Sequence, residues 1–253
     1  MSTTTEIATV GEVSYAALTA GSRQAAILRH NLGGNPMTEL DLPLVKQPVH
    51  STTWRFEVNG NEETTDEIQG LLVGTGIRGA LWPSEDPTGQ RPVVLSHDGI
   101  VGYKVSEVLG TIDPDSLERY RTGDGEYDWI ALRQSKEFGF DAVKNGGKKR
   151  VKESKLLAIL RPGEVWPLRV RASAASIGGI EHFLRTLSCF DYEAFVGLRL
   201  VREKTSNGVE YTKVAPRLIG TISEEQGEMA RQIYYEPLQA MFSARPNGVV
   251  SEE

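Results

Sequence analysis

The sequence predicts a mainly β fold with a few helices: an OB-like Greek-key barrel with a long insertion. Three observations predict it. Short runs of alternating apolar residues recur between Asn-Gly and Pro-Gly turns, an amphipathic stretch at helical spacing separates the strand groups, and residues 84–150 interrupt the pattern with turn signals and charge. A β-sandwich would give much the same string. With 253 residues, 39% hydrophobic and 25% charged, one elaborated domain with its own core is expected. No apolar run approaches the roughly 18 to 20 residues that a membrane span requires. The expected organisation is an N-terminal arm with a short helix over 1–40, a barrel core over 41–242 with an inserted subdomain at 84–150, and a disordered, acidic-ended tail at 243–253.

The first twenty residues, rich in Thr, Ala and Gly, have no sustained periodicity and read as an arm. From Ser22 a short helix is expected through Ala25, Ala26, Ile27 and Leu28, stopped by Gly33-Gly34. Leu42-Pro-Leu-Val45 begins the extended chain, and Pro43 and Pro48 place it at a sheet edge because neither can donate to a ladder. Thr53–Val58 alternates polar and apolar residues and meets Asn59-Gly60, which supplies the left-handed geometry of a tight hairpin. The return is expected through Ile68, Leu71, Leu72 and Val73, followed by a third strand at Ile77–Trp82. Gly70, Gly74, Gly76 and Gly79 interrupt this meander and suggest coiling and bulges.

Beyond Trp82-Pro83, turn signals stand at Asp86-Pro87, Asp98-Gly99, Asp113-Pro114 and Asp124-Gly125. A structureless loop of that length does not suit a compact domain, so an inserted subdomain or long functional loop is expected. It is rich in aromatics: Tyr103, Tyr127, Trp129, Phe138 and Phe140. Strands resume at Lys155–Leu160 and Val165–Arg171 around Arg161-Pro162-Gly163. Ser173 then caps a helix with Ile177, Ile180, Phe183, Leu184 and Leu187 on one face. Phe195–Val201 and Val209–Ile219 pair across Asn207-Gly208. Ser223-Glu-Glu-Gln226 is a capping box opening a last helix, bent or ended near Pro237.

No catalytic motif is present, and the sequence points to a binding protein rather than an enzyme. His30, His50, His97 and His182 are scattered with no i, i+4 pair, so ordinary histidines are expected and not a metal site. Cys189 is the one cysteine, which excludes an intramolecular disulfide and a cysteine-centred zinc site. It lies beside Phe190 at the end of an amphipathic helix and reads as a small apolar core residue. The acids Glu62-Glu63 and Asp113/Asp115 read as solvated. Gly146-Gly147-Lys148-Lys149 lacks the G-x-x-x-x-G-K-[ST] spacing of a nucleotide-phosphate loop. No cofactor and no metal are expected. The N-terminus has no basic and apolar leader, and a reducing cytoplasm is the simplest setting.

Charge placement is more informative. The chain holds 28 Lys+Arg against 34 Asp+Glu, yet residues 142–171 hold nine basic residues against two acidic ones. Lys144, Lys148, Lys149, Arg150, Lys152 and Lys155 are crowded beside two glycines whose amides can face an anion. A solvated basic loop is the plain alternative. The nearby rings favour recognition of a polyanion carrying planar groups: cations attract phosphates without regard to sequence, and aromatic rings stack on bases at about 1 to 3 kcal/mol each. Trp54 and Phe56 share a strand face, so if one is buried both are. Trp82, next to Pro83, is the better candidate for exposure.

Taken in order, Arg78-Gly-Ala-Leu-Trp82-Pro, Ser96-His-Asp98-Gly99 with Gly102, Phe138-Gly139, Gly147-Lys-Lys-Arg-Val-Lys-Glu153, Leu156-Leu157, and Tyr192-Glu-Ala-Phe-Val with Asn207-Gly208-Val-Glu-Tyr211 form a string of motifs. Over roughly residues 40–242 this string resembles a bacteriophage and mobile-element family of single-stranded DNA-binding proteins. The resemblance implies sequence-nonspecific binding of single-stranded DNA in phage DNA replication or recombination, in the host-cell cytoplasm. Arg78, Lys144, Lys148, Lys149, Arg150 and Lys152 would then engage phosphates, and Trp82, Tyr103, Phe138 and Phe140 would be stacking platforms. Family members carry zinc-ribbon-like cysteines near the positions of Ser96, Gln134-Ser135 and Val151. This chain has none there, so zinc is not carried over and packing alone must hold the insertion. The resemblance also implies an acidic C-terminal tail that recruits replication or recombination proteins. From Glu224 to Glu253 there are six acids against two arginines, with only Ser251-Glu252-Glu253 at the end. An oligomer is compatible with the sequence, and no membrane partner is expected. Two different classes stay open: a protein-interaction or inhibitor module of a phage, docking on a host nucleic-acid enzyme and showing no affinity for DNA, and an enzyme of unrecognised type, for which only a convergent pocket of polar residues would speak.

Overall fold

The computed structural model describes His30 and residues 37–246, apart from 59, 87, 140, 143–148 and 206–207. The arm, most of the helix expected from Ser22, and the tail beyond Pro246 lie outside the described residues. The chain is a strand-rich mixture of α and β structure. Among the described residues ten strands form one mostly antiparallel sheet. They are β1 (Leu44–Lys46), β4 (Glu67–Leu81), β5 (Val94–Ser96), β6 (Val101–Lys104), β7 (Arg121–Gly123), β8 (Glu126–Asp128), β9 (Val151–Leu160), β10 (Leu168–Ser173), β11 (Ala194–Lys204) and β12 (Glu210–Thr221). Their order is β1-β10-β9-β4-β5-β6-β8-β7, with β11 on β4 and β12 on β11, while β2 (Trp54–Val58) and β3 (Asn61–Thr65) make a separate ladder. No closed barrel forms among the described strands. Segments from residues 84–150 do not stay outside the sheet as a loop: β5 pairs with β4, and β6, β8 and β7 follow it in the ladder.

Packing divides the chain into two compact units, with the division falling inside β4 and β9: residues up to Thr75 with Lys155–Met241, and Gly76–Ser154 with the residues from Phe242. In the first, β2 alternates buried and exposed residues, so Trp54 and Phe56 both enter the core, with Ile68, Leu157 and Val196. The Trp54 indole donates to the Leu198 carbonyl at 2.8 Å, which satisfies its one polar atom. Gly60, at φ 78°, turns the chain into β3. The return strand is therefore the polar Asn61–Thr65, not the apolar run that follows. That run and Ile77–Leu81 belong to the single 15-residue strand β4. Its glycines do not break it. At Gly70 a Cβ would stand 2.4 Å from the Leu160 carbonyl oxygen, so this glycine admits the neighbouring β9.

β1 pairs in parallel with β10 at the end of the sheet order, in keeping with its prolines. The helix Ala174–Thr186 follows Ser173 and buries Ile180, with Phe183, Leu184, Leu187 and Cys189 packed on the same core. Ser223 accepts a hydrogen bond from the Gln226 amide and opens Glu224–Ala230. A π-helical turn, Arg231–Tyr235, leads into a further helix, Glu236–Ser243. Pro237 thus does not stop the helical run, because it lies in the first turn of a re-registered helix, where its missing N–H costs little. None of the described helices is long and apolar enough to cross a membrane.

Glu67, at the start of β4, accepts from Arg217 Nε and Nη2 at 2.6 and 2.9 Å, with Arg199 at 3.1 Å. The Arg217 guanidinium holds its carboxyl down to about 2, from 4.5. A carboxylate with a depressed folded pKa contributes stability above its unfolded value and loses it as pH falls through that window. Glu67→Gln is expected to cost about 1 to 2 kcal/mol at pH 7, after discounting for the solvent around both arginines. At pH 2 it should cost almost nothing. Urea melts at the two pH values check this, and equal losses would refute it.

In the second unit Leu81, Val94, Tyr127, Trp129, Leu132 and Val151 form the centre of the core. Asp98 accepts from the Ile100 and Val101 amides at 2.7 and 2.9 Å and shapes the turn between β5 and β6. Asp113-Pro114 opens a short helix, Pro114–Glu118, with the aspartate as cap and the proline at its first position. Gly125, at φ 63°, joins β7 to β8. Trp129 begins the helix Trp129–Gln134. Its ring fills the space left by two glycines, since a Cβ at Gly79 would lie 2.1 Å from it and one at Gly102 3.2 Å. β9 begins at Val151 rather than Lys155, so the end of the basic stretch is part of the sheet.

Candidate nucleic-acid interface

The expected site residues come from four parts of the second unit. In the register of β4, β5, β6 and β8, Ala80 faces Leu95, Leu95 faces Tyr103, and Leu81 faces Val94. Side chains alternate along a strand. Leu81, Val94, Tyr127 and Val151 therefore point into the core, while Arg78, Trp82, Tyr103 and Lys152 share the opposite face. Burial agrees: the first four are at most 1% exposed, Arg78, Trp82 and Tyr103 are half-buried, and Lys152 is exposed.

Two ring and cation pairs stand on this face. The Lys152 ammonium lies 5.8 Å from the Trp82 ring centroid, and the Arg245 guanidinium lies 4.9 Å from the Tyr103 centroid. Backbone bonds fix the first pair, since the Trp82 amide donates to the Arg150 carbonyl and the amides of Arg150 and Val151 donate to Phe138. The second pair depends on the C-terminal segment. His97 Nδ1–H donates to the Ala244 carbonyl at 2.8 Å, and Arg78 Nη1 donates to the carbonyls of Phe242 and His97. Burial, with the nearby Arg78 charge, pushes the His97 imidazole down to about 4, so it is neutral at pH 7. Arg245 was not among the expected residues. Only tertiary contact brings it to Tyr103, and nothing in the local sequence marks it.

Other expected residues serve different ends. Phe138 is 3% exposed and packs edge-on to Tyr120, so it is a core ring and cannot stack on a base as it stands. Arg78, bound to three carbonyls and lying over Phe242, anchors the C-terminal segment and is not aimed at a phosphate. Lys149 is half-buried on the core side, 3.9 Å from Glu153. Burial lowers its pKa, the Glu153 carboxylate opposes that shift, and the nearby Arg133 charge adds to it. Glu153 also accepts from the Trp129 indole at 3.0 Å and lies 3.6 Å from Arg133. A strand alternation starting at Val151 separates Lys149 from Lys152, which a linear charge count cannot see. Lys155 is likewise buried and pairs with Glu181. Lys144, Lys148 and Phe140 lie outside the described residues. Among the described residues no group of three or more His, Cys, Asp or Glu is gathered to hold a metal ion. No family model, characterised protein or solved structure matches the chain.

Proposed function

We propose that the chain binds single-stranded DNA without sequence preference, using the sheet face that carries Trp82, Lys152, Tyr103 and Arg245. The observation that supports this most is the doubling of one device: two aromatic rings on one face, each covered by a cation. A base can lie flat on such a ring while the displaced cation moves to the neighbouring phosphate, so stacking and charge neutralisation are gained together. Arg150 adds charge beside Trp82, and Lys144 and Lys148 belong to the proposal on sequence grounds alone. The OB-like Greek-key barrel enters only as the analogy for this binding mode. A role in phage DNA replication or recombination rests on the resemblance of the motif string, as does recruitment of partner proteins by the C-terminal tail.

A fluorescence anisotropy titration with labelled oligo-dT and with duplex DNA tests the proposal. Affinity for oligo-dT should exceed that for duplex, vary little with base composition, and fall on the order of tenfold or more between 50 and 200 mM salt. An affinity unchanged over that range would overturn it.

A further inference from the structure

Phe190 lies between the helix Ala174–Thr186 and β11 in the first unit and is 62% exposed. Its ring is parallel to that of Tyr192, with centroids 5.1 Å apart and planes at 7°. Tyr192 meets the edge of Tyr235 at 5.3 Å, and the Tyr235 hydroxyl donates to Asp191 at 2.7 Å. The stack is therefore fixed from behind. Phe190 is fixed as well: its amide donates to Glu193 and its carbonyl accepts from the Glu193 amide. A ring this exposed gains little from burial at its own position, yet Tyr192 holds its face and Glu193 holds its backbone.

The charges around the stack choose between occupants. Burial raises the pKa of the Tyr192 hydroxyl, and the charges of Glu193, Glu228 and Asp191 add to that shift while the Arg231 charge opposes it. Arg231 is itself bonded to Glu228 and paired with Glu236. The surroundings are net acidic, so a nucleic-acid strand would bring its phosphates toward carboxylates. A planar cation has the opposite fit, because a guanidinium can lie on the Phe190 face and its charge suits the surrounding carboxylates.

We propose that the Phe190–Tyr192 stack with its acidic rim is a docking point for an arginine-bearing basic peptide segment of a partner protein. This does not rest on the DNA-binding proposal, since it uses different residues in the other unit. Fluorescein-labelled octa-arginine and octa-lysine carry equal charge and differ in planarity, and their anisotropy with the intact chain supplies the test. Octa-arginine should bind more tightly. Phe190→Ala should weaken octa-arginine roughly two- to fivefold and leave octa-lysine nearly unchanged, and Phe190→Tyr should restore the preference. Phe190 is exposed, so the alanine variant should keep the wild-type circular dichroism spectrum. Equal affinity for the two peptides would overturn the proposal. So would a Phe190→Ala variant that keeps its octa-arginine affinity but loses affinity for oligo-dT, because the ring would then be a base platform.

Discussion

Replacing Trp82 and Lys152 together by alanine is expected to lower oligo-dT affinity on the order of tenfold to a hundredfold at fixed salt. One stacked base is worth about 1 to 3 kcal/mol, and one phosphate contact is lost with the lysine. The two substitutions act differently. Trp82→Ala should lower affinity at every salt concentration, whereas Lys152→Ala should also flatten the salt dependence by about one ion. Lys46→Ala, at an exposed strand position in the other unit, is the matched control and should change affinity little. Titration of these variants and the wild type with labelled oligo-dT decides the matter. If the double variant binds like the wild type, this face is not the interface, whatever the chain does elsewhere.

The largest expected loss of stability follows Trp129→Ala. Removing a fully buried indole leaves a cavity beneath two glycines that cannot fill it, at about 3 to 5 kcal/mol. It also takes a hydrogen-bond donor from the buried Glu153 carboxylate, which adds about 1 to 3 kcal/mol. Trp129→Phe separates the two effects, since it keeps most of the ring and loses the donor. It should cost about 1 to 3 kcal/mol in urea denaturation. A phenylalanine variant as unstable as the alanine variant would show that the hydrogen bond outweighs packing. A Trp129→Ala loss below about 2 kcal/mol would refute the packing account.

The sequence was most legible where one face of an element is buried and the period is therefore strict. Trp54 and Phe56 on β2, and Ile180, Phe183 and Leu184 on one helix face, are such cases. Turns were legible where a left-handed residue is needed, as at Gly60, Gly99 and Gly125. It was least legible where a residue's role depends on a neighbour distant in sequence. The glycines of β4 read as breaks, yet Gly70 and Gly79 make room for a carbonyl and an indole supplied from elsewhere. The basic stretch read as one cationic window, but β9 turns Lys149 toward a buried acid and Lys152 toward Trp82. Phe138 and Tyr103 read alike as candidate platforms. Only the packing beneath the sheet assigns one to the core and the other to the opposite face.

The second unit is assembled from two distant parts of the chain, Gly76–Ser154 and the residues from Phe242. During synthesis, Arg78, His97 and Tyr103 therefore emerge long before the carbonyls and the guanidinium that they hold. The strand-bearing part of this unit can collapse early, but its outer face is finished only when Phe242–Arg245 arrives across a loop that spans the rest of the other unit. Closing so long a loop costs chain entropy that the contacts within Gly76–Ser154 do not have to meet. Until that loop closes, His97 and Tyr103 lack their C-terminal contacts.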